Sequence, residues 1–211
     1  MNIKTLLLAS MLMLGGNCLA QKVINLPKPD MQRKTTSVMQ AFKERKSTRE
    51  YDTKMLSDQD LSDLLWATQG KNRENGNLTA PTAMNKQEIR VYVFTEKNVT
   101  FYDPKANTLT QVAEGDHRGL IAGFQEFAKA APVSIVFVGD MDKFGSNNAS
   151  SLRMVCMDAG IANENLNLFC AAAGLVTVPR ASMDQKGIQT LLGLNENQIP
   201  LLNNPVGYPK K

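Results

Sequence analysis

Three cationic and two hydroxyl side chains lie within five consecutive residues, Arg45-Lys46-Ser47-Thr48-Arg49. The residues before this cation segment (residues 45–49) have helical spacing, so the segment is expected at a helix exit. Guanidinium and ammonium groups bind phosphate through charge-assisted hydrogen bonds, and hydroxyls add further donors. The segment therefore suits a phosphate, or an electron-rich ring that carries negative charge. The alternative is a solvated basic turn, since charge runs usually face water.

A second polar group leads directly into a predicted strand. This amide segment (residues 81–87) begins with Pro81 and Thr82 and contains Asn85 and Gln87. A side-chain amide both donates and accepts hydrogen bonds, as the edge of a flavin or pyrimidine ring requires. The alternative is ordinary turn chemistry, because the same residue types are common in turns.

A third group, the proline segment (residues 174–182), follows the longest apolar stripe of the chain and contains Pro179, Arg180 and Ala181. A proline cannot donate to a β-ladder and disrupts regular pairing around it. Backbone N–H groups near Pro179 are therefore expected to be available to a ligand.

Several functional classes are excluded or made improbable. The net charge of +4 is small and scattered, which argues against a nucleic-acid binder. His117 is the sole histidine, so a two-histidine zinc hydrolase motif is absent. His117 itself is expected in a solvated first helical turn. The chain also contains neither a GxxxxGK[ST] phosphate loop nor a strand-linked GxGxxG motif, so any nucleotide would be held by side-chain cations.

Apolar periodicity predicts the elements that would position these segments. Ser37 with Gln40 and Ser57 with Asp60 read as helix-opening capping boxes. Order is expected to begin near Ser37. Helices are predicted at 38–45, 61–68, 120–128, 152–173 and 184–192, and strands at 89–95, 99–102, 109–112, 133–138 and 177–181.

The predicted helix at 152–173 is the longest and ends before Gly174. About 26 residues would span roughly 39 Å, more than a small domain needs to cover its own sheet. We therefore expect part of this helix to face a partner subunit, with Ala159, Gly160 and Ala162 allowing close approach. Cys156 and Cys170 would lie roughly 21 Å apart on it, too far for a disulfide.

The N-terminal residues have the pattern of an export signal. Lys4 precedes a short apolar run, and small residues occupy the positions before Gln21. The sequence predicts a signal peptide over residues 1–20 cleaved after Ala20, a leader segment over 21–36 and one domain over 37–211. An N-terminal anchor is the alternative. Cys18 also suggests a lipoprotein, although the bulky Asn17 before it fits a lipid-attachment signal poorly.

Taken in order, the motifs resemble the FMN-dependent nitroreductase superfamily, on the branch that includes azoline oxidases. The similarity runs from about residue 38 to the end. The motifs are Phe42-Lys43-Glu44-Arg45-Lys46-Ser47-Thr48-Arg49-Glu50-Tyr51-Asp52, Leu64-Leu65-Trp66-Ala67, Thr79-Ala80-Pro81-Thr82-Ala83-Met84-Asn85-Lys86-Gln87, Asp158-Ala159-Gly160 with Asn165-Leu166, and Gly174-Leu175 through Val178-Pro179.

The resemblance implies an α+β fold with a central, mostly antiparallel sheet flanked by helices. It also implies a homodimer with long interface helices and one FMN at each subunit boundary. Arg45, Lys46, Ser47 and Arg49 would surround the FMN phosphate and the pyrimidine side of its ring. Asn85 would face the ring edge, and the Arg180-Ala181 backbone would lie near flavin N5. The remaining implied contacts are Pro81, Thr82, Pro179 and Lys210, with Lys211 a weaker substitute for Lys210.

The implied activity is that of an NAD(P)H-dependent oxidoreductase. Hydride or electrons would pass through FMN to a small aromatic, quinone or nitro acceptor by ping-pong turnover. No protein acid or base is implied as catalytic, and no metal. A secreted enzyme would meet little reduced nicotinamide, so either the donor or the export differs from the family's usual pattern. The alternative is a non-catalytic exported protein that binds or scavenges flavin.

Overall fold

A computed structural model describes residues 22–211 and shows an α+β fold built on one seven-stranded sheet. The strand order is β1-β4-β3-β2-β5-β7-β6, and every neighbouring pair is antiparallel. The expected fold class is therefore confirmed. The strands are β1 Val23–Asn25, β2 Ile89–Phe94, β3 Asn98–Asp103, β4 Thr108–Glu114, β5 Val133–Asp140, β6 Val176–Thr177 and β7 Gln198–Gly207.

Five α-helices flank the sheet, and their ends follow the predicted caps. The hydroxyls of Ser37 and Ser57 accept the backbone N–H groups of Gln40 and Asp60, which satisfies donors left free in a first helical turn. Gly174 ends the longest helix with φ of 73°. The helices are α1 Val38–Glu44, α2 Asp58–Gln69, α3 Arg118–Ala122, α4 Ala149–Ala173 and α5 Gln185–Leu192, with short 3₁₀ turns at Ala83–Asn85, Glu126–Ala130 and Met141–Phe144.

Apolar side chains fill both faces of the sheet. On one face, α2 and α4 contribute Leu64, Leu65 and Leu166 to the larger core cluster. On the other face, Ile121 and Ile188 close a smaller cluster that includes α3 and α5. All eight residues of β5 are buried, as the unbroken apolar run at 133–138 predicts for a central strand.

Two strands escape the sequence patterns. β7 has ten residues and pairs with both β5 and β6, but Pro200 and Pro205 interrupt its sequence, and none of the predicted strands covers it. β1 lies inside the expected leader and pairs with β4. The expectation that order begins near Ser37 is therefore wrong.

The rest of that leader packs against α2. The Pro27 carbonyl accepts from Ser62 Oγ at 2.6 Å, and Arg33 forms ion pairs with Asp60 and Asp63. Partial burial opposes ionisation of Asp60, but hydrogen bonds from Ser57, Tyr208 and Arg33 outweigh it and lower the pKa of this carboxyl. Residues 22–36 thus belong to the folded unit rather than to a loose linker.

Two other predicted elements are shorter than expected. Gly123, with φ of 56°, ends α3, so the predicted helix 120–128 is a five-residue helix followed by a 3₁₀ turn. β6 ends at Thr177, and Arg180 forms only an isolated bridge with Asn203.

The long helix forms as predicted, but its small residues face inward. Ala159 and Ala162 are 0% and 1% exposed, because they pack against the sheet of their own subunit. They cannot provide the close approach to a partner that the sequence suggested, and only Gly160 is exposed. Met157 and Ile161, 49% and 41% exposed, form the outer apolar face of α4.

Both cysteines of α4 are free thiols, Cys156 exposed and Cys170 buried. Among residues 22–211, no helix is long and apolar enough to cross a membrane. The predicted signal peptide over residues 1–20, with Cys18 and cleavage after Ala20, lies outside the residues that the structure describes.

Candidate functional site

The cation segment leaves α1 and runs beside β6. Arg45 is the C-cap of α1, and its N–H donates to the Ala41 carbonyl at 2.8 Å. Two residues further on, Ser47 pairs with Thr177 in a parallel bridge, and the Thr48 N–H donates to the Thr177 carbonyl at 2.9 Å. These backbone bonds hold the segment against the start of the proline segment.

The C-terminal tail lies next to the same place. Tyr51 forms a bridge with Pro209, and its hydroxyl donates to the Thr48 carbonyl at 2.9 Å. Burial raises the pKa of Tyr51, while the charges of Arg180 and Arg49 lower it. Lys210 follows Pro209 directly and is exposed, so this lysine begins beside the cation segment.

A cavity of about 410 Å³ opens between these elements. Its wall combines the cation segment, the C-terminal end of α4, β6 and Pro209; the lining residues are Lys43, Glu44, Arg45, Lys46, Thr48, Asn167, Cys170, Ala171, Gly174, Leu175, Val176, Thr177 and Pro209.

The cations around this cavity form no ion pairs, although the carboxylate of Glu44 also lines its wall. Arg45, Lys46 and Arg49 are exposed and take part in none of the ion pairs among residues 22–211. The carbonyl end of α4 carries partial negative charge and would repel an anion. An anion at this cavity must therefore be held by these side chains rather than by a helix terminus.

The side chain of Arg180 is buried and makes four hydrogen bonds. Its guanidinium donates to the carbonyls of Ile121 and Ala122 at 3.0 Å, to Asn203 Oδ1 at 2.8 Å and to Gln125 Oε1 at 2.9 Å. Arg180 therefore joins α3, β7 and the proline segment, and four of the five N–H groups of its guanidinium are used in these structural bonds.

The backbone beside Arg180 is only partly available. The Arg180 N–H donates to the Asn203 carbonyl at 2.8 Å, and the Asn203 N–H returns a bond of 2.7 Å. Ala181 N–H makes no hydrogen bond within residues 22–211. Of the two residues expected to offer backbone donors, Arg180 and Ala181, only Ala181 has a free N–H group. Pro179, which precedes Arg180, is exposed.

An aromatic ring connects the cation and proline segments. Phe127, in the 3₁₀ turn after α3, has the guanidinium carbons of Arg49 and Arg180 at 5.6 and 5.5 Å from its ring centre. Such cation–π contacts fix the direction of a guanidinium. Phe124, three residues earlier, is 84% exposed and unusually open for a large apolar side chain.

A buried network of amides supports β6 from below. Asn204 Nδ2 donates to Asn167 Oδ1 at 2.9 Å and to Thr177 Oγ1 at 3.1 Å, and Asn163 donates to Asn204. Because each buried polar group has a partner, the network links α4, β7 and β6 in one arrangement. It thereby fixes the strand on which the cation segment rests.

The amide segment adopts an unusual backbone. Met84, Asn85 and Gln87 have φ of 52°, 53° and 50°, a region that side chains other than those of Asn and Asp rarely enter. Thr82 Oγ1 accepts the Gln87 N–H at 2.8 Å, and the Asn85 amide nitrogen donates to Asn77 Oδ1 at 3.1 Å. Three residues with positive φ within residues 84–87 form a strained backbone that must be held by surrounding contacts.

The structure brings two of the three segments together within one chain. The amide segment contacts α4 at Asp158, whose carboxylate accepts the Ala83 N–H at 2.7 Å. The cavity meets α4 around Cys170, twelve residues or roughly 18 Å further along the helix. Pro81, Thr82 and Asn85 therefore lie apart from Arg45, Lys46, Ser47, Arg49, Pro179, Arg180, Ala181 and Lys210.

The sequence missed several residues of this site. In the sequence, Phe127 was one apolar position of the predicted helix 120–128, and Asn203 lay outside every predicted element. Only the pairing of the proline segment with another strand could have pointed to Asn203. His117 contacts the Glu114 carbonyl at 2.8 Å at the start of α3, consistent with a structural position. Within the described residues no group of three or more His, Cys, Asp or Glu side chains could hold a metal ion.

Comparison with known proteins supports the family that the order of the motifs suggested. The profile of the Nitroreductase family matches residues 42–208. A solved structure of a nitroreductase-family protein from Ralstonia eutropha JMP134 has a TM-score of 0.83 and 34% identity, covering 90% of each chain.

Two further relatives support the assignment. A curated nitroreductase-family protein of Methanocaldococcus jannaschii is 28% identical over 176 residues, covering 77% of this chain and 86% of that protein. The structure of nitroreductase A from Vibrio parahaemolyticus shares the fold, with a TM-score of 0.64 and 20% identity over 83% of this chain and 68% of that one. With the profile match and the shared antiparallel fold, these similarities establish that the chain belongs to the Nitroreductase family.

Proposed function

We propose that this protein is an FMN-dependent oxidoreductase that takes a hydride or electrons from a reduced nicotinamide, or another donor, and passes them to a small aromatic, quinone or nitro acceptor. Family membership supports an oxidoreductase of the nitroreductase type. The observation that carries the cofactor proposal is the pair of exposed cations without ion-pair partners, Arg45 and Lys46, that line the 410 Å³ cavity, with Arg49 exposed at the end of the same segment.

The donors present fit FMN in kind. A phosphate needs cations and hydroxyls, which Arg45, Lys46 and Ser47 supply. The flavin ring needs backbone or amide donors at its edge, and Ala181 N–H is free for such a bond. Lys210 is the C-terminal cation proposed for the phosphate.

When bound, FMN supplies the hydride and electron transfer itself. The protein's part is electrostatic and steric. With FMN bound, the guanidinium of Arg49, directed by Phe127, would offset negative charge on the pyrimidine side of the ring. Phe124 offers an exposed aromatic face on which a planar acceptor can stack. Donor and acceptor would use this space in turn, as ping-pong turnover requires.

A homodimer is part of the proposal, because the amide segment of one chain lies far from the cation segment of the same chain. Exposed apolar side chains on α1 and α4, namely Val38, Met39, Phe42, Met157 and Ile161, give a surface that a second copy can cover. An isologous pairing through this surface would let Pro81, Thr82 and Asn85 of one subunit complete the site of the other.

Export remains the proposal for the N-terminal residues: a signal peptide over 1–20 would deliver the protein to the periplasm or the medium. Reduced nicotinamide is scarce there, so either the electron donor or the export would differ from the family's usual pattern. The rival is an exported flavin-binding or scavenging protein without turnover.

One experiment separates enzyme from scavenger. The FMN-loaded protein is mixed anaerobically with NADH, NADPH or dithionite, and absorbance near the flavin maximum is followed. We expect nicotinamide to bleach the flavin and a quinone to restore the colour. Bleaching by dithionite but by neither NADH nor NADPH would favour the scavenger.

Replacing Arg45 or Arg49 by alanine should weaken FMN binding roughly 10- to 100-fold each, because a charge-assisted hydrogen bond is worth about 1.5–3 kcal/mol. Lys46→Ala should cost less, since a flexible ammonium is more easily replaced. Dissociation constants from fluorescence titration measure the effect, with Lys186→Ala on α5 as a charge-matched control. Unchanged affinity in both arginine variants would return the cation segment to a solvated basic turn.

A further inference from the structure

Glu88 is a fully buried carboxyl without a hydrogen-bonding partner. It lies between the amide segment and β2, and neither of its carboxyl oxygens, taken as ionised, accepts a hydrogen bond of good geometry within residues 22–211. Other buried carboxyls, such as Asp63 and Asp140, are paired with cations or amides. A charged, unpaired carboxylate in such a place would be very costly, so Glu88 needs either a proton or a hidden partner.

Asp158 of α4 is the acid within hydrogen-bonding reach of the Glu88 carboxyl. Asp158 is itself nearly buried, and its carboxylate accepts the Ala83 N–H of the amide segment at 2.7 Å. A carboxylate that already accepts one hydrogen bond can accept another from a protonated neighbour. Glu88 and Asp158 thus stand on two sides of the amide segment, one on the strand it enters and one on the helix it contacts.

The charged groups around the pair do not neutralise it. Lys86, on the same segment, is exposed. Arg90 of β2 places its guanidinium over Tyr92 and Phe101 and 4.0 Å from Asp140 of β5. Asp140 contributes its N–H to the Glu88 carbonyl rather than to the carboxyl. No ion pair among the described residues involves Glu88 or Asp158.

Two neighbouring carboxyls without a cation cannot both be charged near neutral pH. Burial is the main cause that raises the pKa of Glu88 to about 8, and the hydrogen bond and charge of Asp158 add to it. The backbone N–H of Glu88 and, to a smaller extent, the Thr82 hydroxyl act in the opposite direction. At neutral pH Glu88 therefore carries the proton.

We propose that Glu88 and Asp158 share one proton and act as a positioning pair that holds the amide segment in its strained conformation. The protonated carboxyl bonds to Asp158, and Asp158 in turn holds Ala83, the residue before the positive-φ residues Met84 and Asn85. When the proton is lost, two buried negative charges face each other, and the least costly response is to release the segment and admit water. The pair touches no reacting atom.

The direction of the pH effect follows from this arrangement. An unfolded chain releases the Glu88 proton near its ordinary value of 4.5, whereas the folded chain keeps it to about 8. The stabilisation is therefore complete below pH 4.5 and is lost as the pH rises towards 8. Between these values the unfolding equilibrium constant contributed by this group rises by up to about tenfold per pH unit.

The consequence for the cofactor rests on the proposed function: if the amide segment contacts FMN across a dimer, FMN affinity falls above pH 8. The pair itself is tested on the ligand-free protein, so its failure can be distinguished from failure of the flavin proposal. Two readouts serve, the carboxyl ¹³C shift of Glu88 against pH and the hydrogen-exchange protection factor of the Ala83 amide, which is already corrected for the intrinsic pH dependence of exchange.

We expect the Glu88 carboxyl to titrate near pH 8 and Ala83 protection to fall at least tenfold between pH 6.5 and 9.5. Glu88→Gln keeps a neutral donor of the same shape and should retain protection over that range. Asp158→Asn keeps the acceptor for Ala83 and can donate to an ionised Glu88, so it should also remove the transition. Glu196→Gln, at an exposed site, is the matched control and should behave as the unmodified protein.

The proposal is overturned if Glu88 titrates near 4.5, or if Ala83 protection in the unmodified protein stays constant across the Glu88 titration. Should Glu88→Gln fail to fold, the carboxyl titration and the Asp158→Asn comparison still decide the matter. A transition that persists unchanged in Asp158→Asn would likewise contradict proton sharing.

Discussion

A glutamate in place of Ile161 should produce folded monomers that no longer hold FMN. Ile161 is 41% exposed on the outer face of α4, so a carboxylate there is tolerated by the single subunit. In the proposed dimer the same carboxylate would be desolvated against apolar side chains without a cation, at a cost of several kcal/mol. We expect dimer affinity to fall at least 100-fold, and bound FMN to be lost in parallel, by analytical ultracentrifugation with absorbance detection.

Ala159 provides the contrast on the same helix. Ala159 is 0% exposed inside its own subunit, so Ala159→Glu should unfold the chain rather than separate two folded subunits. Circular dichroism distinguishes the two outcomes. If Ile161→Glu remains dimeric with FMN bound, the outer face of α4 is not the interface, and the shared site must be abandoned.

Arg180→Ala should cost about 3–5 kcal/mol in the free energy of unfolding. The substitution leaves four acceptors, on Ile121, Ala122, Gln125 and Asn203, without the guanidinium that now satisfies them. Each buried acceptor without a partner costs about 1–3 kcal/mol, and water entry offsets part of the sum. Urea unfolding monitored by circular dichroism measures the change, with Lys186→Ala as the exposed control.

The same variant tests how the proline segment is held. Arg180 connects this segment to α3 and β7, so its loss should also weaken FMN binding by displacing Ala181. A stability within 1 kcal/mol of the unmodified protein would show that the buried network around Arg180 is not required for the fold.

The sequence predicted local structure well where a residue type strongly favours one conformation, as at helix caps. Ser37 and Ser57 at helix starts, Gly174 at a helix end, and the apolar run of β5 each specify their own conformation. The order of the motifs was sufficient for the fold class, because it spans most of the chain.

Long-range pairing could not be predicted in the same way. The prolines and polar residues of β7 disfavour a strand in the sequence pattern. The segment forms a strand because β5 and β6 supply partners on both sides. The inward direction of Ala159 and Ala162 depends on which face of α4 meets the sheet, which small residues alone do not reveal.

The same contrast applies to the site: residues close together in sequence were predictable, and contacts between distant segments were not. Arg45, Lys46 and Arg49 were evident as a dense local cluster; the structure leaves all three exposed, and Arg45 and Lys46 line a cavity. The full burial of the Arg180 side chain and the isolation of Glu88 beside Asp158 arise from segments far apart in sequence. The family resemblance implied a flavin contact through the backbone of Arg180 and Ala181, and the structure adds a structural role for the Arg180 side chain.

The flavin proposal is decided by titrating ligand-free protein with FMN and with riboflavin, which has the same ring but no phosphate, by isothermal calorimetry and visible spectroscopy. We predict one FMN per subunit, a shifted flavin spectrum and a raised Tm, with riboflavin bound at least tenfold more weakly because Arg45 and Lys46 lose their anion. No heat, no spectral shift and no thermal stabilisation with FMN would contradict an FMN site in this protein.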